Sequence, residues 1–171
     1  MRRALARKPF LNTNGRTSRA RKLMTAPVFV DTNVFIYALD RRDLKKQHAA
    51  QPWRTELWKS HSGRTSFQVF QEFYANVARK WPGVCHQARA EIRDLMAWGP
   101  APVDGPVLER AWKIQDRYQL SFWDALIVAA AKSLACRYLL SEDLQADQEL
   151  EGIIVINPFL CDPASVLRSD Y

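Results

Sequence analysis

Short apolar runs, separated by longer stretches of helical periodicity, set the pattern of this chain. Val28-Phe29-Val30 is apolar at every position, as a strand buried on both faces requires. Residues 137–140, apolar after Arg137, and 153–156 read as further strands towards the C-terminal end. Between these runs the period changes. After a polar turn at Asp31-Thr32-Asn33, residues 34–39 predict the start of a helix. Residues 43–60 predict a longer one, with Leu44, Ala49, Trp53, Leu57 and Trp58 towards the core and Gly63 beyond its end. Residues 64–66 read as a second short strand. Residues 68–80 predict a strong helix with Phe70, Phe73, Tyr74 and Val77 on one face, stopped by Trp81-Pro82-Gly83. Residues 84–98 predict another, halted by Gly99-Pro100, followed by a short strand over 101–103 and a helix over 106–118. Ser121 caps a helix over 122–134, and Asn157-Pro158 closes the pattern.

Strands alternating with helices predict an α/β fold with a mostly parallel sheet covered on both faces. The 171 residues suit one domain over 25–160, with 161–171 as a tail. The longest apolar run, Ala125 to Ala131, is far below the roughly 18–20 residues that span a bilayer, so no membrane segment is expected. Cys85, Cys136 and Cys161 are scattered and odd in number. No disulfide framework follows from them, and a reducing, cytoplasmic setting is expected.

The net charge of +7 comes from one end. Residues 1–24 hold eight basic residues and no acid, leaving 17 basic and 18 acidic residues elsewhere. Two readings compete for this stretch. It is a disordered basic arm attracted to nucleic acid, or an upstream extension with Met24 as the natural start. Met24 stands just ahead of the first strand, which favours the second. The stretch lacks the apolar stretch of a secretory signal.

The chemistry lies in four acids far apart in the chain: Asp31, Glu72, Asp124 and Asp143. Asp31 directly follows the first strand, and Asp143 follows the strand over 137–140 by two residues. Glu72 lies early in one helix, and Asp124 opens another. Carboxyl ends of parallel strands and the starts of the next helices converge on one cleft. Acids gathered there repel one another unless a cation holds them, which points to a divalent-metal site.

Each acid also has an ordinary role open to it. Asp31 suits a helix N-cap. Glu72 sits about 200° around its helix from Phe70, so it could be a solvated surface residue or line a cleft. Ser121 and Asp124 resemble a capping box with Asp at the third helical position. Yet Asp124 is the only polar residue from Phe122 to Ala131, so its charge needs a strong partner. Asp143 lies in a polar turn with Glu142 and Asp147 as competitors. Other chemistries fit poorly. His48, His61 and His86 have no nucleophile elbow nearby, and there is no glycine-rich phosphate loop. An aspartate-nucleophile phosphatase wants a second Asp where Asn33 stands.

Four segments in order resemble the signatures of PIN domains. They are Val30-Asp31-Thr32-Asn33-Val34, Phe67 to Phe73, Leu120 to Ile127, and Leu139 to Gln145. The closing Ile156-Asn157-Pro158-Phe159 resembles the toxin branch, the VapC-type ribonucleases of bacterial toxin–antitoxin pairs. The likeness runs from about Val28 to Phe159, most of the chain. It implies an α/β/α sandwich with a central, mostly parallel sheet of four to five short strands. It also implies an endoribonuclease dependent on Mg²⁺ or Mn²⁺ that acts on single-stranded or structured RNA. Its acids map onto Asp31, Glu72, Asp124 and Asp143, with Asn33 and Ser141 as supporting polar positions. Implied partners are an RNA substrate, a cognate antitoxin and a second copy of the chain.

A metal held by such acids would activate water for in-line attack on phosphorus. Asp31 and Asp124 are the expected direct ligands, with Glu72 and Asp143 completing the shell. An acidic cleft repels RNA, so basic residues should flank it. Arg41, Arg42, Lys45, Lys46 and Arg64 are the candidates. A DNA nuclease on the same scaffold and an inactive binding module are the rival readings.

Overall fold

The computed structural model describes residues 26–167, so the basic stretch lies outside the described residues. Five strands form one sheet in the order β2-β1-β3-β5-β4. They are β1 (Val28–Val30), β2 (Gly63–Arg64), β3 (Tyr138–Leu140), β4 (Glu149–Leu150) and β5 (Ile153–Ile156). β2, β1, β3 and β5 are mutually parallel, and only β4 runs antiparallel, paired to β5. β1 and β3 are fully buried, which fits the absence of polar residues in them. Helices flank the sheet to give the α/β/α architecture.

α1 (Thr32–Leu39) starts directly after β1 because Asp31 caps it, accepting the Thr32 N–H. The polar turn expected before this helix is therefore the cap and the first turn. α2 (Leu44–Ser60) is capped by Asp43 and ends at His61 in the left-handed region (φ 57°). Its buried face is Ala50, Trp53 and Leu57, at i, i+3 and i+7. The expected core positions Leu44 and Ala49 are corrected. Leu44 points about 120° away from Ala50 around the helix and is 56% exposed, and Ala49 is only half-buried.

α3 (Phe67–Lys80) begins after Ser66, which caps it through the Val69 N–H. The helix expected over 84–98 is broken into a 3-10 turn at Pro82–Val84, α4 (Cys85–Leu95) and a second 3-10 turn at Met96–Trp98. The strand expected over 64–66 stops at Arg64. The one expected over 101–103 reduces to a single bridge between Ser66 and Ala101. Ser66 remains extended in that bridge while its side chain caps α3, and the chain turns into the helix at Phe67. α5 (Gly105–Tyr118) and α6 (Phe122–Ser133) pack against each other, and every residue of α6 from Ala125 to Ala131 is buried.

β4 has no counterpart in the sequence expectation. It forms through a two-residue turn in which Glu151 (φ 54°) and Gly152 (φ 81°) both take positive φ, as a tight hairpin demands. Within the segment expected as a tail, Pro163–Leu167 forms α7, packed on α2 with Leu167 buried. The Trp53 indole N–H donates to the Cys161 carbonyl (3.2 Å) at the same place.

Sheet order positions the site. The chain leaves β1 for β2 on one side and then returns past β1 to β3 on the other. The carboxyl ends of β1 and β3 thus flank the switch point where α/β folds bind ligands. The ladder continues past both strand ends. Asp31 N–H donates to the Leu140 carbonyl (3.0 Å) and Ser141 N–H to the Ile156 carbonyl (3.1 Å).

Candidate active site

Asp31 is the centre of a hydrogen-bonded network and is only 8% exposed. Oδ1 accepts the Thr32 N–H (2.6 Å), while Oδ2 accepts the Ser141 hydroxyl (2.7 Å) and the Asn33 amide (3.4 Å). The same Asn33 Nδ2 donates to Asp143 Oδ2 (3.2 Å), and the Asp143 N–H donates to Ser141 Oγ (3.2 Å). Asn33 and Ser141 therefore bridge two carboxylates from different strand ends. The sequence had placed both as supporting positions, and both stand beside the acids.

Two further residues belong to the network and were not singled out from sequence. Thr32 Oγ1 donates to Glu72 Oε2 (2.9 Å). Gln68, almost fully buried, donates through Nε2 to Glu72 Oε1 (2.8 Å) and to the Trp123 carbonyl (3.3 Å). One signal for Gln68 was available, because it precedes Glu72 by four residues and so shares its helix face.

Asp31, Glu72 and Asp143 are thus drawn into one network. Asp124 is not hydrogen-bonded into it. Its Oδ2 accepts the Ser121 hydroxyl (2.7 Å), and its N–H donates back to Ser121 Oγ (3.1 Å), so it completes its own cap. Only the backbone one residue earlier, at Trp123, is tied to the network through Gln68.

Burial raises the Asp31 carboxyl most, with the charges of Asp143 and Glu72 adding to it. The Ser141 hydroxyl and Thr32 N–H pull the other way, and the balance lies at about 7. A carboxylate held this way gains from a nearby cation. The donors are all oxygens of the type that hard divalent cations take. Asn33 Oδ1 and Gln68 Oε1 are buried acceptors without a hydrogen-bond partner, and both side chains already contact the acids. The residues therefore fit a hard cation in chemical type. Among the described residues, however, no three acids stand close enough to hold an ion as they are. Their mutual repulsion favours that open arrangement.

The basic residues divide. Lys46 pairs with Glu142, next to Asp143, and its ammonium lies over the rings of Tyr37 (4.1 Å) and Phe159 (5.3 Å). Arg42 is exposed, paired to Asp40 (3.2 Å) and stacked over Trp81 (5.1 Å). Arg41 and Lys45 are exposed nearby. Arg64 does not flank the acids, correcting the expectation. Its guanidinium donates to the carbonyls of His61 (3.1 Å) and Gly63 (2.7 Å), which precede it at the amino end of β2. From there it acts on Cys136, ahead of β3, where burial pushes the thiol up to about 12. The carboxylates occupy the opposite ends of the strands.

The chain belongs to the PIN domain family, whose model matches residues 28–148. Among solved structures, the fold is similar to a toxin–antitoxin complex from Klebsiella pneumoniae. That match has a TM-score of 0.55 at 21% identity, covering 77% of this chain and 97% of the other. It is also similar to VapC20 of Mycobacterium tuberculosis, described as a sarcin–ricin loop cleaving toxin. There the TM-score is 0.51 at 23% identity, covering 68% of this chain and 91% of the other. No curated protein matches the chain. Among the described residues no helix is long and apolar enough to cross a membrane.

Proposed function

We propose that this protein is an endoribonuclease that hydrolyses RNA phosphodiester bonds with Mg²⁺ or Mn²⁺, and that it is the toxin of a toxin–antitoxin pair. The observation that carries the reading is the hydrogen-bonded network in a PIN domain, where the buried Asp31, Ser141, Asn33 and Thr32 at the ends of β1 and β3 join the more exposed Asp143 and, from α3, Glu72. The toxin assignment draws on the two structural neighbours, and it brings with it an antitoxin partner, a homodimer and a cytoplasmic setting.

Asp31, Glu72 and Asp143 would hold the cation, with Asp124 approaching from the start of α6. When bound, the cation supplies charge neutralisation and activation of the attacking water. The chain's own part is orientation. Ser141 and the Thr32 N–H hold the Asp31 carboxylate in one rotamer and favour its ionised form. Thr32 and Gln68 hold both oxygens of Glu72. Asn33 couples Asp31 to Asp143, so the two strand ends keep a constant spacing. Lys46 and the exposed Arg41 and Lys45 offset the acidity that would otherwise repel a polyanion.

The reading is tested by cleavage of labelled total cellular RNA with Mg²⁺, Mn²⁺ or EDTA. Discrete cuts that need metal and disappear in Asp31→Asn and Asp124→Asn are expected. A folded, metal-supplied protein that leaves RNA intact would sink it, and cutting of single-stranded DNA alone would favour the DNA-nuclease alternative. Ser141→Ala provides a finer test. It removes a donor that favours ionised Asp31, so the acid limb of the cleavage rate should move to higher pH. An unmoved limb, measured from pH 5 to 9, would mean that Ser141 does not tune Asp31.

A further inference from the structure

Two large aromatic side chains stand in solvent at the helix starts that carry the acids. Trp123 is 61% exposed and lies next to Asp124 in the first turn of α6. Phe67 is 40% exposed and opens α3, five residues before Glu72. Gln68 joins the two starts, since its one amide donates both to Glu72 and to the Trp123 carbonyl. Trp123 is therefore tied through its backbone to the rim of the acid network. Its ring meets the partly buried Phe122 edge-on (5.4 Å). At the start of α3, Phe67 in turn meets Phe70 edge-on (5.9 Å).

An exposed indole is costly to leave in water, and here it adjoins a charged cleft rather than a continuous apolar patch. Carboxylates that would hold a cation on one side and a flat aromatic face on the other suit one nucleotide, with its phosphate at the bound cation and its base against the ring. Aromatic rings beside a strand-tracking groove bind unpaired bases by stacking, with little dependence on base identity.

We propose that Trp123 is a stacking platform for an unpaired nucleobase next to the scissile phosphate, so that this residue carries the preference for single-stranded substrate. The inference rests on the nuclease reading above and deepens it. Trp123 is a binding residue in this scheme and takes no part in the bond-breaking step.

The test uses the full chain carrying Asp31→Asn, which prevents cutting. Binding of a fluorescent random-sequence 12-nucleotide RNA, single-stranded or annealed to its complement, is followed by anisotropy with Mg²⁺ present. Adding Trp123→Ala should weaken single-strand binding roughly tenfold and leave duplex binding nearly unchanged. Trp123→Phe should recover most of the loss. Trp112→Ala, which removes an exposed tryptophan from α5, should change neither. Melting temperatures taken on each variant separate lost stacking from lost folding. Strong single-strand binding that Trp123→Ala leaves intact in a folded protein would overturn the platform alone and turn Trp123 towards a protein partner. Failure of the parent to bind RNA in either form would overturn the platform together with the nuclease reading.

Discussion

Asp31→Asn is expected to abolish cleavage and, in the metal-free protein at pH 8, to raise the melting temperature by several degrees. The two effects have one origin. Asp31 is buried and its carboxyl is raised from 3.8 to about 7, chiefly by desolvation. In the unfolded chain the same group ionises near its ordinary value. Between these two values the folded state binds the proton and the unfolded state does not. The stability that the protonated form brings is full below about pH 4 and is lost as pH rises towards 7. A shift of this size corresponds to a cost on the order of 4 kcal/mol at pH 8. Asparagine cannot ionise, so it removes that cost; its oxygen still accepts the Thr32 N–H and its amide can donate to Ser141 Oγ, so that only the long Asn33 bond (3.4 Å) is given up.

Melting curves in EDTA at pH 5 and pH 8 check this directly. Wild type should lose stability over that interval and Asp31→Asn should lose less. Added Mg²⁺ or Mn²⁺ should raise the wild-type melting temperature more at pH 8 than at pH 5, because protons compete with metal for the same carboxylate. An Asp31→Asn variant less stable than wild type at pH 8 in EDTA would contradict the account.

The second large effect is structural and lies behind the sheet. A Cβ added at Gly63 would come within 2.6 Å of the Trp98 ring. That ring is almost fully buried and packs against Phe35 (6.2 Å between centroids) and Trp58 (5.3 Å). A shift large enough to clear the clash would disturb these neighbours or pull β2 from β1. Gly63→Ala should therefore cost at least about 1–3 kcal/mol, the usual range for overpacking. Trp98→Ala should cost about 3–5 kcal/mol through the cavity it leaves. The informative measurement is the double variant, studied by urea unfolding. With the indole gone, Gly63→Ala should cost nearly nothing, so the pair should be strongly non-additive. Additive costs would mean that Gly63 is needed for its backbone conformation and not for the space that Trp98 takes.

Several features were legible in the sequence because local chemistry alone decides them. Val28-Phe29-Val30 and the run from Ala125 to Ala131 could only be buried. Ser121 caps α6 through the Asp124 N–H, as their spacing specifies, while the Asp124 carboxylate accepts the Ser121 hydroxyl instead of its N–H. Strands alternating with helices pointed to a parallel α/β fold, and the chain belongs to the PIN domain family. Gly63 was legible as a position where α2 could not continue, but not as the floor under Trp98, since the ring arrives from a distant turn.

Arg64 was misplaced because the sequence does not say which way its side chain turns: it ends β2, but its guanidinium folds back to the His61 and Gly63 carbonyls, away from the acids. β4 was missed because Glu149-Leu150 has no periodicity of its own and exists only by pairing with β5.

By itself, then, the sequence determined which residues are apolar, which helices begin where, and which four acids are available for chemistry, since propensity, capping and burial act over a few residues. Tertiary structure alone decided which acids meet. Parallel pairing of β1 with β3 sets Asp31 beside Ser141 and Asp143, and α3 delivers Gln68 and Glu72 to Thr32 and Trp123. Distances of that kind between residues 40 to 110 apart in the chain follow from sheet order and helix packing, which no local pattern encodes.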